Sequence, residues 1–354
     1  MEIEDIENIS VVSINDQQAN EWDKYVEQYD GSKIYHLYAW KELIRKTFGH
    51  DTKYFAALDT ERQIRGVLPL VYLGHPLFGK VFGKYGISMP YFNYGGPIGD
   101  NDEIEELLIK HAVEYFQSTD AEFLEFRDLK ERPGYPVKTE KITMVLPLLD
   151  DPDAMFSTFK AKLRSQIRRP IREGVSVQFG GVELLDDFYD VFCVNMRDLG
   201  TPPYSKKLFR NILTAFPENT YIAIAKKENE AVGCAFLIGH KDTLEIPWAS
   251  TLRKYNSIGV NMLMYSEIIR SAIEKKYKFF DFGRCSRGAG THKFKKQWGS
   301  EERQLFWHYS LLKTDELPEV NTNNAKYRLF IETWKKLPLS VTRLIGGAIV
   351  KNLP

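Results

Sequence analysis

The sequence predicts an α/β chain of two consecutive domains with a helical tail, on three observations. The chain has 354 residues, and at roughly 150 residues per domain that length points to two cores. Segments with helical and strand periodicity alternate twice along it. Asp150, Asp151, Pro152 and Asp153 are the sharpest punctuation in the chain and precede a new helix. The expected domains are therefore 1–150 and 151–320, followed by a tail over 321–354.

The elements follow in order. Asp16 to Gln28 and His36 to Thr47 read as helices, the first capped at Asn15 or Asp16. Tyr54 to Leu58 and Ile64 to Leu73 read as a hairpin. The stretch with Gly74, Gly79, Gly83 and Gly86 is either a lid or a set of tight turns, and MPYFNYGGP closes it. A helix over Asp102 to Gln117 and strands at Glu122 to Arg127 and Thr143 to Pro147 complete the first half. The second half offers helices at 154–169, 183–198 and 205–215, with a strand at Val175 to Phe179. Strands at Tyr221 to Lys226, Ala231 to Gly239 and Thr243 to Trp248 come next, then a helix at 259–276. Its Val260, Leu263, Met264, Ile268, Ala272 and Ile273 share one face. A strand at Lys278 to Phe282, a helix at 291–298 and a strand at 303–310 close the domain. The tail from Asn324 is helical and divided by Pro338, with Val341, Leu344, Ile345, Ala348 and Ile349 as an apolar stripe.

Apolar residues make up 43% and aromatics 13%, with 48 basic residues against 48 acidic ones, the composition of a folded globular protein. With zero net charge, no global field draws the chain to nucleic acid, so DNA is not an expected partner. The acidic start MEIEDIENIS lacks the pattern of a signal peptide, and no apolar run of about 18 residues spans a bilayer. Three scattered cysteines, Cys193, Cys234 and Cys285, suit neither a disulfide framework nor a metal site. A cytoplasmic protein without a metal is expected.

Several phrases, in order along nearly the whole chain, resemble FemAB-like proteins, in particular the branch associated with exopolysaccharide and exosortase loci. They are YHLYAWKELIRKTFGHDTKYFAA, GVLPL, MPYFNYGGP, KLRSQIRRPIREGV, MRDLGTPPYS, EIPWASTLRKYNSIGVNMLMY, FFDFGRCSRGAGTHKFKKQWG and the KLPLS tail. The resemblance implies an α/β (α+β) fold of two tandem GNAT-like acyltransferase domains with the C-terminal helical tail. It also implies a substrate cleft near their junction and acyl transfer to an amine. Wider family members move amino acids from aminoacyl-tRNA onto peptidoglycan precursors. This branch is more like an acyl-CoA-dependent N-acyltransferase acting on a cell-envelope or exopolysaccharide precursor. The alternatives are an aminoacyl-tRNA-dependent bridge-forming transferase and a non-catalytic saccharide-binding protein.

Acyl transfer needs a base for the amine and donors for the oxyanion. Glu245, with Leu244 and Ile246 pointing to the opposite face, and Asp281, ending a buried strand, are rival bases; acids there also cap turns. Lys160, Arg164 and Arg168 form a helical stripe suited to a pyrophosphate or to a solvated face, with a break or kink expected at Pro170. In the family, a strand-to-helix turn binds the CoA pyrophosphate through Arg or Gln, two residues, Gly, one residue, then Gly or Ala. This chain reads RKYNSIGVN and keeps only Gly259, followed by Val260 and Asn261, so another phosphate or a carboxylate can take that place. Arg284, Lys293, Lys295 and Lys296 form a second cationic patch, with Phe294 and Trp298 buried. Tyr91, Asn93, Tyr94 and Trp248 either line an acceptor pocket or pack a turn whose glycines take positive φ. Cys285, with no histidine close in sequence, is set aside as a nucleophile, and His36, His50 and His292 are expected to be structural. The tail, with Lys335, Lys336, Arg343 and Lys351 beside its stripe, either docks on its own protein or contacts a membrane surface.

Overall fold

The computed structural model describes residues 8–74, 83–318 and 325–353. The first stretch runs β1 (Ser10–Ser13), α1 (Ala19–Gln28), α2 (Ala39–Phe48), β2 (Asp51–Leu58), β3 (Ile64–Leu73), β4 (Tyr85–Ile87), β5 (Ile98–Gly99), α3 (Asp102–Gln117), β6 (Phe123–Asp128) and β7 (Val137–Lys138). The second runs β8 (Lys141–Pro147), α4 (Pro152–Thr158), α5 (Ala161–Arg172), β9 (Val175–Gly180), α6 (Leu185–Leu199), α7 (Lys206–Ala215), β10 (Thr220–Lys227), β11 (Glu230–His240), β12 (Thr243–Thr251), α8 (Val260–Glu274), β13 (Phe279–Ser286), α9 (Gly290–Lys296) and β14 (Glu301–Gln304). β15 (Phe306–Leu311), α10 (Ala325–Lys336) and α11 (Leu339–Val350) follow. The core of the glycine-rich stretch, 75–82, lies outside the described residues.

Two compact units result, each with its own sheet. One holds Met1–Lys141, Gln304–Glu319 and Asn352–Pro354; the other holds Ile142–Arg303 and Val320–Lys351. The first sheet has the order β1-β2-β3-β4-β6-β15-β7, with β5 beside β3. Helices cover both of its faces: Phe55, Ala57, Leu68 and Leu70 pack with Leu108 and Phe116 of α3, while Tyr54, Ala56 and Val67 pack with Trp22 and Val26 of α1. Alternate residues of one strand thus enter different cores, and the strands read as continuous apolar runs.

The second sheet has the order β14-β8-β13-β12-β11-β10-β9. Its core face joins Ile142, Met144, Leu146, Leu244, Ile246, Phe280 and Phe282 to Leu163 and Ile167 of α5 and to Leu263, Met264 and Ile268 of α8. α6 packs on β11 and β12.

The expected strand at 303–310 is two strands. Glu301–Gln304 belongs to the second sheet, whereas Phe306–Leu311 pairs antiparallel with β6 in the first. Conversely Lys141–Pro147, expected to finish the first half, lies in the second sheet. Strand periodicity identifies such segments but carries no information on which distant strand they pair with. The helix expected over 154–169 is also two, because Phe159 and Lys160 are extended. Nor does α5 end at Pro170: it reaches Arg172, and the Glu173 N–H donates to Arg169 O at 3.2 Å. In a last turn, proline removes a single ladder bond, which buried packing of Pro170 and Ile167 tolerates.

Candidate active site

Three adjacent strands of the second unit each bring one polar side chain to the same level. β12 and β13 run parallel with Glu245 in register with Asp281, and registered neighbours share a face. Leu244, Ile246, Phe280 and Phe282 occupy the core, so both carboxylates lie on the opposite face. Thr143 of β8 joins them: its Oγ1 donates to Asp281 Oδ1 at 2.6 Å. Thr143 is 0%, Asp281 3% and Glu245 7% exposed. Neighbouring strands lie about 5 Å apart, and two carboxylates in register on them repel in such surroundings unless a cation accompanies them.

Lys295 on α9 is buried nearby. At Gly283 the strand takes a φ of 73°, open to glycine without strain. That kink sends the Gly283 N–H to Asp281 Oδ1 at 2.8 Å and its carbonyl to Lys295 Nζ at 2.7 Å. Lys295 Nζ also donates to Arg284 O at 2.9 Å. Burial lowers the pKa of Lys295, while the Cys285, Asp281 and Glu245 groups hold it up. An ammonium has three donors, and carbonyls take two of them here. The cluster can therefore accept a proton at a carboxylate and offer an N–H to a developing oxyanion.

Of the residues singled out in the sequence, Glu245, Asp281 and Lys295 converge. Lys295 is buried among carbonyls and carboxylates rather than turned outward as part of a solvated patch; Lys293, Lys296 and Arg284 are the exposed ones. Arg164 directs Nη1 to the carbonyls of Ser157 and Phe159, at 3.0 and 2.7 Å, and Arg168 lies over the Phe156 ring at 5.4 Å. Both arginines thus tie α5 to α4, because side chains one turn apart on α5 face the open carbonyls at the end of α4. Gly259, with φ 80°, caps α8, and Asn261 is half-buried in its first turn. The turn before it is a 3₁₀ helix over Arg253–Ile258, whose Lys254 pairs with Glu230 at 2.7 Å and whose Arg253 donates to Asp198 O.

Trp248 is half-buried in the second unit, with its ring edge-on to Phe209 at 5.1 Å and Phe236 at 5.7 Å. Tyr91, Asn93 and Tyr94 belong to the first unit and are all buried. Tyr91 Oη meets His50 Nε2 at 2.9 Å, and Tyr35 stacks between this turn's Phe92 and Tyr94. The run is a packed turn, and two of its positive φ values fall on Met89 and Tyr91 rather than on glycine. Cys285 is buried, His36 and His50 bond within the first unit, and His292 pairs with Glu302 at 2.9 Å.

Sequence reading missed Thr143 and a buried network in the first unit. There Arg127 Nε donates to Glu125 at 2.7 Å and its Nη1 to Phe92 O at 2.6 Å, while Tyr309 Oη donates to Glu125 at 2.6 Å. The signal was present in FLEFRD, where charges at alternate positions mark one face of a strand.

Residues 157–296 match the acetyltransferase (GNAT) domain family. A UDP-N-acetylmuramoylpentapeptide-lysine N(6)-alanyltransferase from Weissella viridescens is 24% identical over 147 residues. That alignment covers 40% of this chain and 44% of the relative's length. Among solved structures, FemX superposes with a TM-score of 0.63 at 16% identity, covering 86% of this chain and 98% of FemX. A tandem GNAT protein from the clavulanic acid biosynthesis pathway gives a TM-score of 0.54 at 12% identity, covering 87% and 100%. L-PGS from Bacillus licheniformis gives 0.54 at 15%, covering 92% and 96%. With two sheets each flanked by helices, the chain has the fold of these tandem GNAT proteins, and its acetyltransferase (GNAT) match over residues 157–296 includes Glu245, Asp281 and Lys295, with Thr143 on a neighbouring strand of the same unit.

Proposed function

We propose that the second unit transfers an activated acyl or aminoacyl group directly to an amine of a cell-envelope or exopolysaccharide precursor. The carrying observation is the buried row Thr143, Asp281 and Glu245 beside Lys295. Asp281, held by Thr143 and Gly283, or its neighbour Glu245 takes the proton from the attacking amine, directly or through water. The amine nitrogen forms the new C–N bond, the remaining Lys295 N–H meets the oxyanion, and the C–S or C–O bond to the leaving group breaks. The proton returns to the departing thiolate or alkoxide. Half-buried Trp248 on the same strand offers an aromatic edge to the acceptor. An amine acceptor is supported by the alanyltransferase relative, whose name specifies the N6 amine of a lysine on a nucleotide-linked precursor.

The donor has two readings. A GNAT domain ordinarily takes acyl-CoA. Here the turn before α8 does not fit the usual pyrophosphate cradle: it lacks the glycine pattern, and its Lys254 and Arg253 are engaged by Glu230 and the Asp198 carbonyl. That geometry favours an aminoacyl ester such as aminoacyl-tRNA. The test supplies the full chain with UDP-N-acetylmuramoyl-pentapeptide or an amino-sugar acceptor. Thiol release from an acyl-CoA panel is followed beside transfer from labelled aminoacyl-tRNA. Transfer that falls about 100-fold or more in Glu245→Gln or Asp281→Asn is expected. Full turnover in both variants removes the assigned bases, and glycan binding without transfer from either donor would make the chain a saccharide-binding protein.

A further inference from the structure

The last two helices carry a surface that the acyl-transfer reading does not use. α11 docks on α6 through one face: Thr342, Gly346 and Val350, four residues apart, are buried, and Arg343 Nη2 donates to Asp190 at 2.7 Å. A Cβ on Gly346 would lie 2.5 Å from Pro203 Cδ, so the contact is close. Away from this face, Val341, Leu344, Ile345 and Ala348 recur at helical spacing and are all exposed, Leu344 at 82%. α10 adds Leu329, 68% exposed, and Phe330. A helix that is apolar on both its docked and its outward face calls for a second partner.

Charge identifies that partner. Residues 325–353 contain Lys326, Arg328, Lys335, Lys336, Arg343 and Lys351 against the single acid Glu332, a net +5 in a chain whose total charge is zero. A symmetric pairing of two copies through this face would set one cationic surface against another. We propose that the outward face of α11, with the cationic end of α10, docks on an anionic lipid bilayer, the stripe entering the acyl boundary and the lysines meeting the headgroups. This surface is independent of the transferase reading.

Flotation of the full chain with vesicles of phosphatidylcholine alone and of phosphatidylcholine with phosphatidylglycerol tests it. The protein is expected to float with the anionic vesicles and not with the neutral ones, and to detach at high salt. Leu344→Glu, at an exposed position that leaves the melting temperature unchanged, should lower the partition about tenfold or more. Lys335→Gln with Lys336→Gln should lower it about 25-fold, at about fivefold per cation. Equal flotation of Leu344→Glu and wild type, or no flotation of the wild type, overturns the proposal. So does a dimer that Leu344→Glu dissociates in sedimentation velocity while vesicle binding persists, which would assign the stripe to a second copy.

Discussion

Asp281 allows charge to be separated from architecture. Two bonds to its carboxylate, from Thr143 Oγ1 at 2.6 Å and the Gly283 N–H at 2.8 Å, end on Oδ1. Asn keeps an oxygen there, so Asp281→Asn retains both bonds and loses their charge assistance together with the attraction to Lys295. That loss is partly offset because a neutral amide costs less to bury, leaving a net cost of no more than about 1 kcal/mol. Asp281→Ala strands a hydroxyl and an N–H in the interior, at about 1–3 kcal/mol each, so about 2–6 kcal/mol is expected. Urea unfolding followed by tryptophan fluorescence should therefore rank wild type and Asp281→Asn close together, with Asp281→Ala well below. In transfer assays Asp281→Asn should already lose most turnover, since the charge that takes a proton is gone. If Asp281→Asn is as unstable as Asp281→Ala, the hydrogen-bond reading is wrong; if it is stable and fully active, the carboxylate has no chemical role.

The first unit has a pH signature of its own. Burial lowers the pKa of His36 from 6.5 to about 4, its Nε2 facing Gly96 O at 3.0 Å and its Nδ1 accepting from the Lys33 N–H at 2.9 Å. Above pH 6.5 both folded and unfolded states are neutral there; between 6.5 and 4 only the unfolded state takes the proton. Stability is thus lost as pH falls through that window, by about 3 kcal/mol in all, and His36→Gln should flatten that part of the urea-midpoint profile. Gly259→Ala meets nothing closer than Met262 Cγ at 3.6 Å, so its cost is that of a positive φ alone, about 1 kcal/mol in thermal unfolding. Lys295→Met removes a buried cation from two carbonyls and two carboxylates. It should destabilise by about 3 kcal/mol in the same urea assay and lower turnover more than Lys293→Met or Lys296→Met, whose side chains are exposed.

The sequence by itself determined what depends on local periodicity and on chain-long phrases. The tandem α/β plan, the amphipathic α8 with its Val260, Leu263 and Ile268 face, the division of the tail at Pro338 and the strand placement of Glu245 and Asp281 could all be read residue by residue. These are short-range properties: a helix repeats every 3.6 residues and a strand every two, whatever surrounds them. Only the tertiary structure decided which strands are neighbours. It sent Lys141–Pro147 and Phe306–Leu311 to opposite sheets, and it set Thr143 against Asp281 across 138 residues of chain. It also turned Lys295 inward while its neighbours face solvent, and attached Arg164 to carbonyls rather than to an open face. Pairing register and side-chain partners are set by packing between distant segments, where burial and hydrogen-bond satisfaction select one arrangement among many that the local pattern permits.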